Sequence, residues 1–236
     1  MLYSRQNAGS YFMDETKEAT PDTFQAIYDF FDASVVDIDC GQKCKHLNGG
    51  TPVCCDTQNA VPIVQVAEWL ALKQRTNMWR SFKPRCAVTR DIVANLHSTC
   101  KAVECRGAQH CERDNRSLSC RTFPFFPYFT NKDELIGLAY FWHFEDRCWV
   151  ISNMSQVTPT FVQQFLAAYE TLFDADPDER DVARNFSATM RRVFSRWKRP
   201  FALIDRDGGY LMVQPKGAGI DKIDAKDLPR FEPYAD

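Results

Sequence analysis

Ten cysteines carry the chemistry that is legible in this chain. Four fall between Cys100 and Cys120, in TCKAVECRGAQHCERDNRSLSCRTFPFFP, spaced C-x4-C-x5-C-x8-C. Four more fall between Cys40 and Cys55, in CGQKCKHLNGGTPVCC, spaced C-x3-C-x9-CC, with Cys86 between the clusters and Cys148 beyond them. Thiolates are soft donors that suit zinc and iron–sulfur clusters. Close spacing lets one loop wrap a metal, and the gap between clusters lets metal binding staple remote segments and contribute to folding. Cys54 and Cys55 are chain neighbours whose side chains diverge, so they suit two irons of a cluster, or two separate sites, better than one ion. Neither cluster has the paired C-x2-C knuckles of a zinc ribbon or the C-x2-C-x2-C run of a bacterial ferredoxin. The spacing therefore predicts a metal without choosing between an iron–sulfur cluster and zinc.

Composition bounds the partners. The 236 residues hold 29 Lys+Arg against 31 Asp+Glu, a net charge of -2, so no global basic field attracts nucleic acid or an anionic membrane. The opening MLYSRQNAGSYFMDETKEATPD lacks the apolar core of a signal peptide, and no run approaches the ~20 apolar residues of a membrane span. The expected compartment is the cytoplasm, where thiols stay reduced and a disulfide framework is disfavoured. The expected partners are a metal ion or cluster and a protein substrate or partner.

Residues around the cysteines divide by chemistry. Arg121 follows Cys120 directly and is expected to offset thiolate charge, while His110 and His46 read as groups that donate to a thiolate rather than ligate. Phe123, Phe125, Phe126, Tyr128 and Phe129 are expected to wall water away from the site. Cys86 reads as a small packing residue, His97 and His143 as structural, and Glu68 and Asp91 as candidate general bases whose plainer reading is that of solvated carboxylates on helix faces. No Walker loop, G-x-G-x-x-G, G-x-S-x-G or H-E-x-x-H motif is present.

The elements that must position these groups follow from periodicity. Thr20-Pro21 opens a helix with Phe24, Ile27, Tyr28 and Phe31 on one face. Pro62 is read as opening a second helix running to about Met78, and Thr89 a short third. LIGLAYFWHF reads as one buried strand, Thr158-Pro159 and Asp176-Pro177 as the starts of a helical pair, and FALIDRDGGYLMVQP as a hairpin turning at Asp207-Gly208-Gly209.

The run RSLSCRTFPF, Arg116 to Phe125, resembles the C...RP..CR.FPF signature of the CxxCxxCC, or YkgJ-type, family, which is described as zinc- or iron-chelating and includes flagellin lysine-N-methylase. The order of an early knot ending in CC, a helix, the signature and an isolated cysteine agrees, over roughly Cys40 to Cys148. Ser117 stands where the family usually has proline, and Glu112-Arg113-Asp114 replaces an apolar-aromatic pair. The resemblance implies ligation by Cys40, Cys44, Cys54, Cys55, Cys111, Cys120 and Cys148, with Cys100 and Cys105 competing for one further position. It also implies, as an alternative, a protein-lysine N-methyltransferase, although no S-adenosylmethionine loop is recognisable. A structural zinc module for protein interaction is the third reading.

The expected architecture is α+β and mainly helical, a single domain with cysteine-rich metal-binding loops, a C-terminal helical pair and a β-hairpin. Residues 1–19 are expected to be a loose arm, 20–155 the metal-binding core, 156–216 the helical pair and hairpin, and 217–236 a polar tail.

Overall fold

The computed structural model describes residues 17–235, so all but the last three positions of the expected N-terminal arm lie outside the described residues. The fold is α+β, with a three-stranded and a five-stranded antiparallel sheet, a main hydrophobic core running from Ala19 to Val213 and a small second cluster of Phe129, Phe173 and Ala183.

Helix α1 (Pro21–Phe30) starts where a capping box forms between Thr20 and Thr23, with Pro21 in the first turn. Its buried face, Phe24, Ile27 and Tyr28, continues into Phe31, whose ring meets Phe161 at 5.7 Å. The first cysteine cluster then forms α2 (Gly41–Cys44) and two 3-10 turns, Lys45–Asn48 and Val53–Cys55.

After the double cysteine the chain departs from the expected long helix. Ile63–Gln65 forms strand β1, and only Val66–Arg75 is helical, as α3. Pro62 follows a β-branched residue and precedes two more, a run that favours extended backbone, and the Pro62 carbonyl accepts the Val103 amide. Strand β2 (Trp79–Ser81) and helix α4 (Ala87–Ala94) follow. Cys100–Cys105, expected as loop, is the six-residue strand β3 at the centre of the order β1-β3-β2. Its inner residues Ala102, Val103 and Glu104 are all buried.

Helix α5 (Leu118–Thr122), capped by Ser117, leads into β4 (Phe125–Phe129), which pairs with β5 (Leu135–Tyr140). Helix α6 (Trp149–Ser152) is a single turn, whereas α7 (Pro159–Ala175) and α8 (Pro177–Trp197) are long and share Asp176 as end of one and cap of the other. Strands β6 (Phe201–Asp205), β7 (Tyr210–Val213) and β8 (Ile220–Ile223) complete the order β4-β5-β6-β7-β8, so the expected polar tail supplies a strand. Strand β4 lies at the sheet edge and contains Pro127, which lacks a ladder donor. Helix α8 covers that edge: the Phe129 amide donates to Ser187 Oγ at 3.0 Å and the Arg191 guanidinium donates to the Phe129 carbonyl.

Gly137 pairs with Asp205 across β5 and β6, and a Cβ there would collide with the Ile204 carbonyl oxygen. Gly137→Ala should therefore cost about 1–3 kcal/mol, read as a lower denaturation midpoint with unchanged slope. A midpoint equal to the parent protein's would contradict the close approach of these strands.

Candidate thiol cavity

A cavity of about 750 Å³ is lined by seven cysteines, Cys40, Cys54, Cys55, Cys100, Cys105, Cys111 and Cys120. All ten cysteines of the chain are free thiols. Cys40 precedes α2, where a Cβ on Gly41 would press on the Pro52 ring at 2.9 Å, so glycine lets the two ends of the first loop meet. Cys54 and Cys55 belong to the 3-10 turn that closes that loop. Cys100 and Cys105 begin and end β3, which separates them by about 16 Å at ~3.3 Å per residue. Cys105 accepts the Gly107 amide at 3.4 Å, Cys111 accepts Arg116 Nε at 3.2 Å, and Cys120 sits on α5.

Cys44 and Cys148 are buried behind this surface and do not line it. The Val53 amide donates to the Cys44 sulfur, and the Val150 and Ile151 amides to the Cys148 sulfur. The Tyr234 hydroxyl lies 3.2 Å from the Lys43 carbonyl and 3.5 Å from the Arg147 carbonyl, on the residues just before these two cysteines. Cys86 is exposed and paired with Thr89 at the start of α4, not packed in a core. His46 and His110 are exposed on 3-10 turns and neither lines the cavity. Of the aromatic residues expected as a wall, Phe123, Phe125 and Phe126 line it, whereas Tyr128 and Phe129 are fully buried elsewhere.

Burial pushes the thiols of Cys120 and Cys148 up to about 12 and raises those of Cys40, Cys44 and Cys105. Cys54 is held well above the usual thiol range because it donates to Cys55, which that hydrogen bond, with Arg116, lowers to about 7. The sulfurs of Cys55 and Cys111 each raise Cys105 further, and those of Cys105 and Cys55 raise Cys120. Such a group resists holding several thiolates unless a cation compensates them. Arg116 supplies one compensating charge, facing Cys111, Cys120 and Cys55.

The donors fit a thiolate-bound metal in their chemistry: soft sulfur from remote segments, gathered beside an arginine. Among the described residues, no three His, Cys, Asp or Glu side chains stand closely enough to hold a metal ion as they are. The thiols thus line one cavity without converging on a common point.

Arg121, expected beside the thiolates, has another task. Its guanidinium donates to the carbonyls of Phe31, Asp114 and, from Nε at 3.1 Å, Arg116, and it lies 4.8 Å from the centre of the Tyr28 ring. It fixes the backbone that presents Arg116 to Cys111.

Glu68, expected as a solvated helix-face residue, is 3% exposed and lines the cavity. Its Oε1 accepts both the Tyr28 hydroxyl and the Leu118 amide at 2.6 Å, tying α3 to α1 and to the start of α5. The signal available in the sequence was its place beside Ala67 and Ala71 on a helix that must pack inward. At the start of the same helix, Gln65 Nε2 donates at 2.8 Å to both Asp176 and Glu179.

Burial raises the Glu68 carboxyl to about 7. Its neutral form is favoured in the folded chain, so this stabilisation is complete below the unfolded value of about 4.5 and is lost as pH rises through about 7. Over that window the loss is about 3 kcal/mol. Glu68→Gln retains the carbonyl acceptor for both donors and should flatten the decline in stability between pH 5 and pH 8, measured by denaturant melts. An equal decline in both proteins would show that Glu68 titrates normally.

Comparisons of the chain with protein-family models, with curated proteins and with solved structures found no match, so its likeness to the YkgJ-type family stands on the motif residues themselves.

Proposed function

We propose that this protein is a cysteine-thiolate metalloprotein that binds an iron–sulfur cluster or zinc. The observation that supports the reading most is that seven of the nine candidate thiols, drawn from segments as far apart as Cys40 and Cys120, line one cavity. A purely structural role for these free cysteines does not account for the convergence of seven of them on one cavity, whereas a bound metal would offset the charge that their deprotonation creates. The chemistry such a group supplies is a cross-link between segments and, for an iron–sulfur cluster, one-electron transfer. The chain's residues supply the rest: Arg116 offsets negative charge, Arg121 and Glu68 hold the supporting backbone, and Phe123, Phe125 and Phe126 exclude water.

A second reading, transfer of a methyl group to a protein lysine, draws support from the volume of the cavity, which has room for a side chain next to the thiols. Among the described residues no helix is long and apolar enough to cross a membrane.

Anaerobic purification followed by iron, sulfide and zinc analysis tests the proposal, and protein that holds no metal even after reconstitution with either group would refute it. Charge compensation separates the two arginines. Arg116→Gln should weaken metal affinity about 10–100-fold at unchanged stoichiometry. Arg121→Ala should lower the melting temperature more than it lowers affinity. Equal affinity in Arg116→Gln and the parent would remove Arg116 from the account.

A further inference from the structure

We propose that residues 224–235 form a strap that closes over Cys44 and Cys148 and sets the rate at which solutes reach these two thiols. The strap governs access, whatever the thiols bind.

Cys44 and Cys148 stand apart from the other candidate thiols by position. Each is only 7% exposed, and neither lines the cavity from which the remaining seven can be approached. Cys44 ends α2 and Cys148 caps α6, and the segment that follows β8 crosses both places. Ser152, buried at the end of α6, clasps Phe231: its Oγ accepts the Phe231 amide at 3.0 Å and donates to the Phe231 carbonyl at 3.2 Å. The Phe231 ring centre lies 6.3 Å from that of Tyr140 and 5.5 Å from the Arg199 guanidinium. Three residues on, the Tyr234 hydroxyl reaches the carbonyls of Lys43 and Arg147, the residues immediately before the two cysteines, and both sulfurs lie near enough for their charges to act on that hydroxyl.

The rest of the segment is built to come away. No residue from 224 to 235 is buried, and only Leu228 and Phe231 pack against the main core. Among the described residues its backbone–backbone hydrogen bonds all close within itself, from Asp227 to Asp224, Leu228 to Ala225 and Tyr234 to Phe231. Ser152 and the Tyr234 hydroxyl supply its hydrogen bonds to the rest of the fold. A segment with so few buried contacts opens by local unfolding far more often than the core beneath it. Such opening leaves β8 in place, because the ladder from β7 ends with the Tyr210–Ile223 pair, ahead of the strap.

Iodoacetamide treatment of the full chain after chelation, resolved residue by residue by mass spectrometry, reads access at each cysteine. In the parent, Cys44 and Cys148 should react slowest of the ten. Tyr234→Phe and Ser152→Ala each remove one hydroxyl and little volume. Either variant should speed both thiols about 10-fold together, with the rates at Cys86, Cys105 and Cys120 unchanged. Unchanged rates at Cys44 and Cys148 in both variants, or a parent in which these two react as fast as Cys105, would overturn the strap. A rise at all ten cysteines alike would overturn it as well, since the segment would then hold the whole fold rather than shelter two thiols. The readout needs no metal, so its failure leaves the proposed function standing, and a chain that binds no metal leaves the strap standing.

Discussion

The arrangement of the thiols depends on one buried carboxyl oxygen. Glu68 Oε1 takes the Tyr28 hydroxyl and the Leu118 amide, each at 2.6 Å, and so locks α1, α3 and the first turn of α5 together. Cys120 sits two residues beyond that amide, and the Arg121 guanidinium stacks on the same Tyr28 ring while gripping the carbonyls of Phe31, Asp114 and Arg116. Burying a carboxyl is costly unless it is hydrogen-bonded, and two short donors offset that cost here. The outcome is a backbone under Arg116 and Cys120 held rigidly to α1 and α3.

That rigidity bears on how thiols can be gathered without being joined. Each segment reaches the cavity by a different device: glycine at Gly41, a 3-10 turn at Cys54 and Cys55, the end of strand β3 at Cys105, a capped helix at Cys120. Helix and strand ends are fixed by their hydrogen bonds to within small movements, whereas a cysteine rotates about a single χ1. Sulfurs held protonated by burial therefore lie near one another at little cost, and deprotonation by a cation is what would draw them inward.

Much of the frame is legible in the sequence because local chemistry wins there. Thr20-Pro21, Thr158-Pro159 and Asp176-Pro177 each pair a capping side chain with a proline that suits the first turn, and all three helices begin as expected. The Asp207-Gly208-Gly209 turn likewise joins β6 to β7, with both glycines at positive φ. What is not legible depends on partners remote in the chain. Strand β3 reads as loop because lysine, alanine and glutamate are poor strand formers, and it is extended because β1 and β2 flank it. Pro62 reads as a helix start until its carbonyl is seen to accept Val103, and β8 reads as polar tail until β7 is in place. The same limit separates Arg116 from Arg121: adjacency to Cys120 favours the second, and only the folded backbone turns the first toward sulfur.

Residue-resolved alkylation tests the central claim most directly, since it counts the sulfurs that a metal occupies. Metal-loaded protein, prepared anaerobically and treated with an excess of iodoacetamide, should be modified at Cys86 and at one of Cys100 and Cys105 and protected at the other eight cysteines. Chelation should open those eight to the reagent. Equal modification of all ten cysteines before and after chelation, in protein shown to contain metal, would contradict ligation by these thiols.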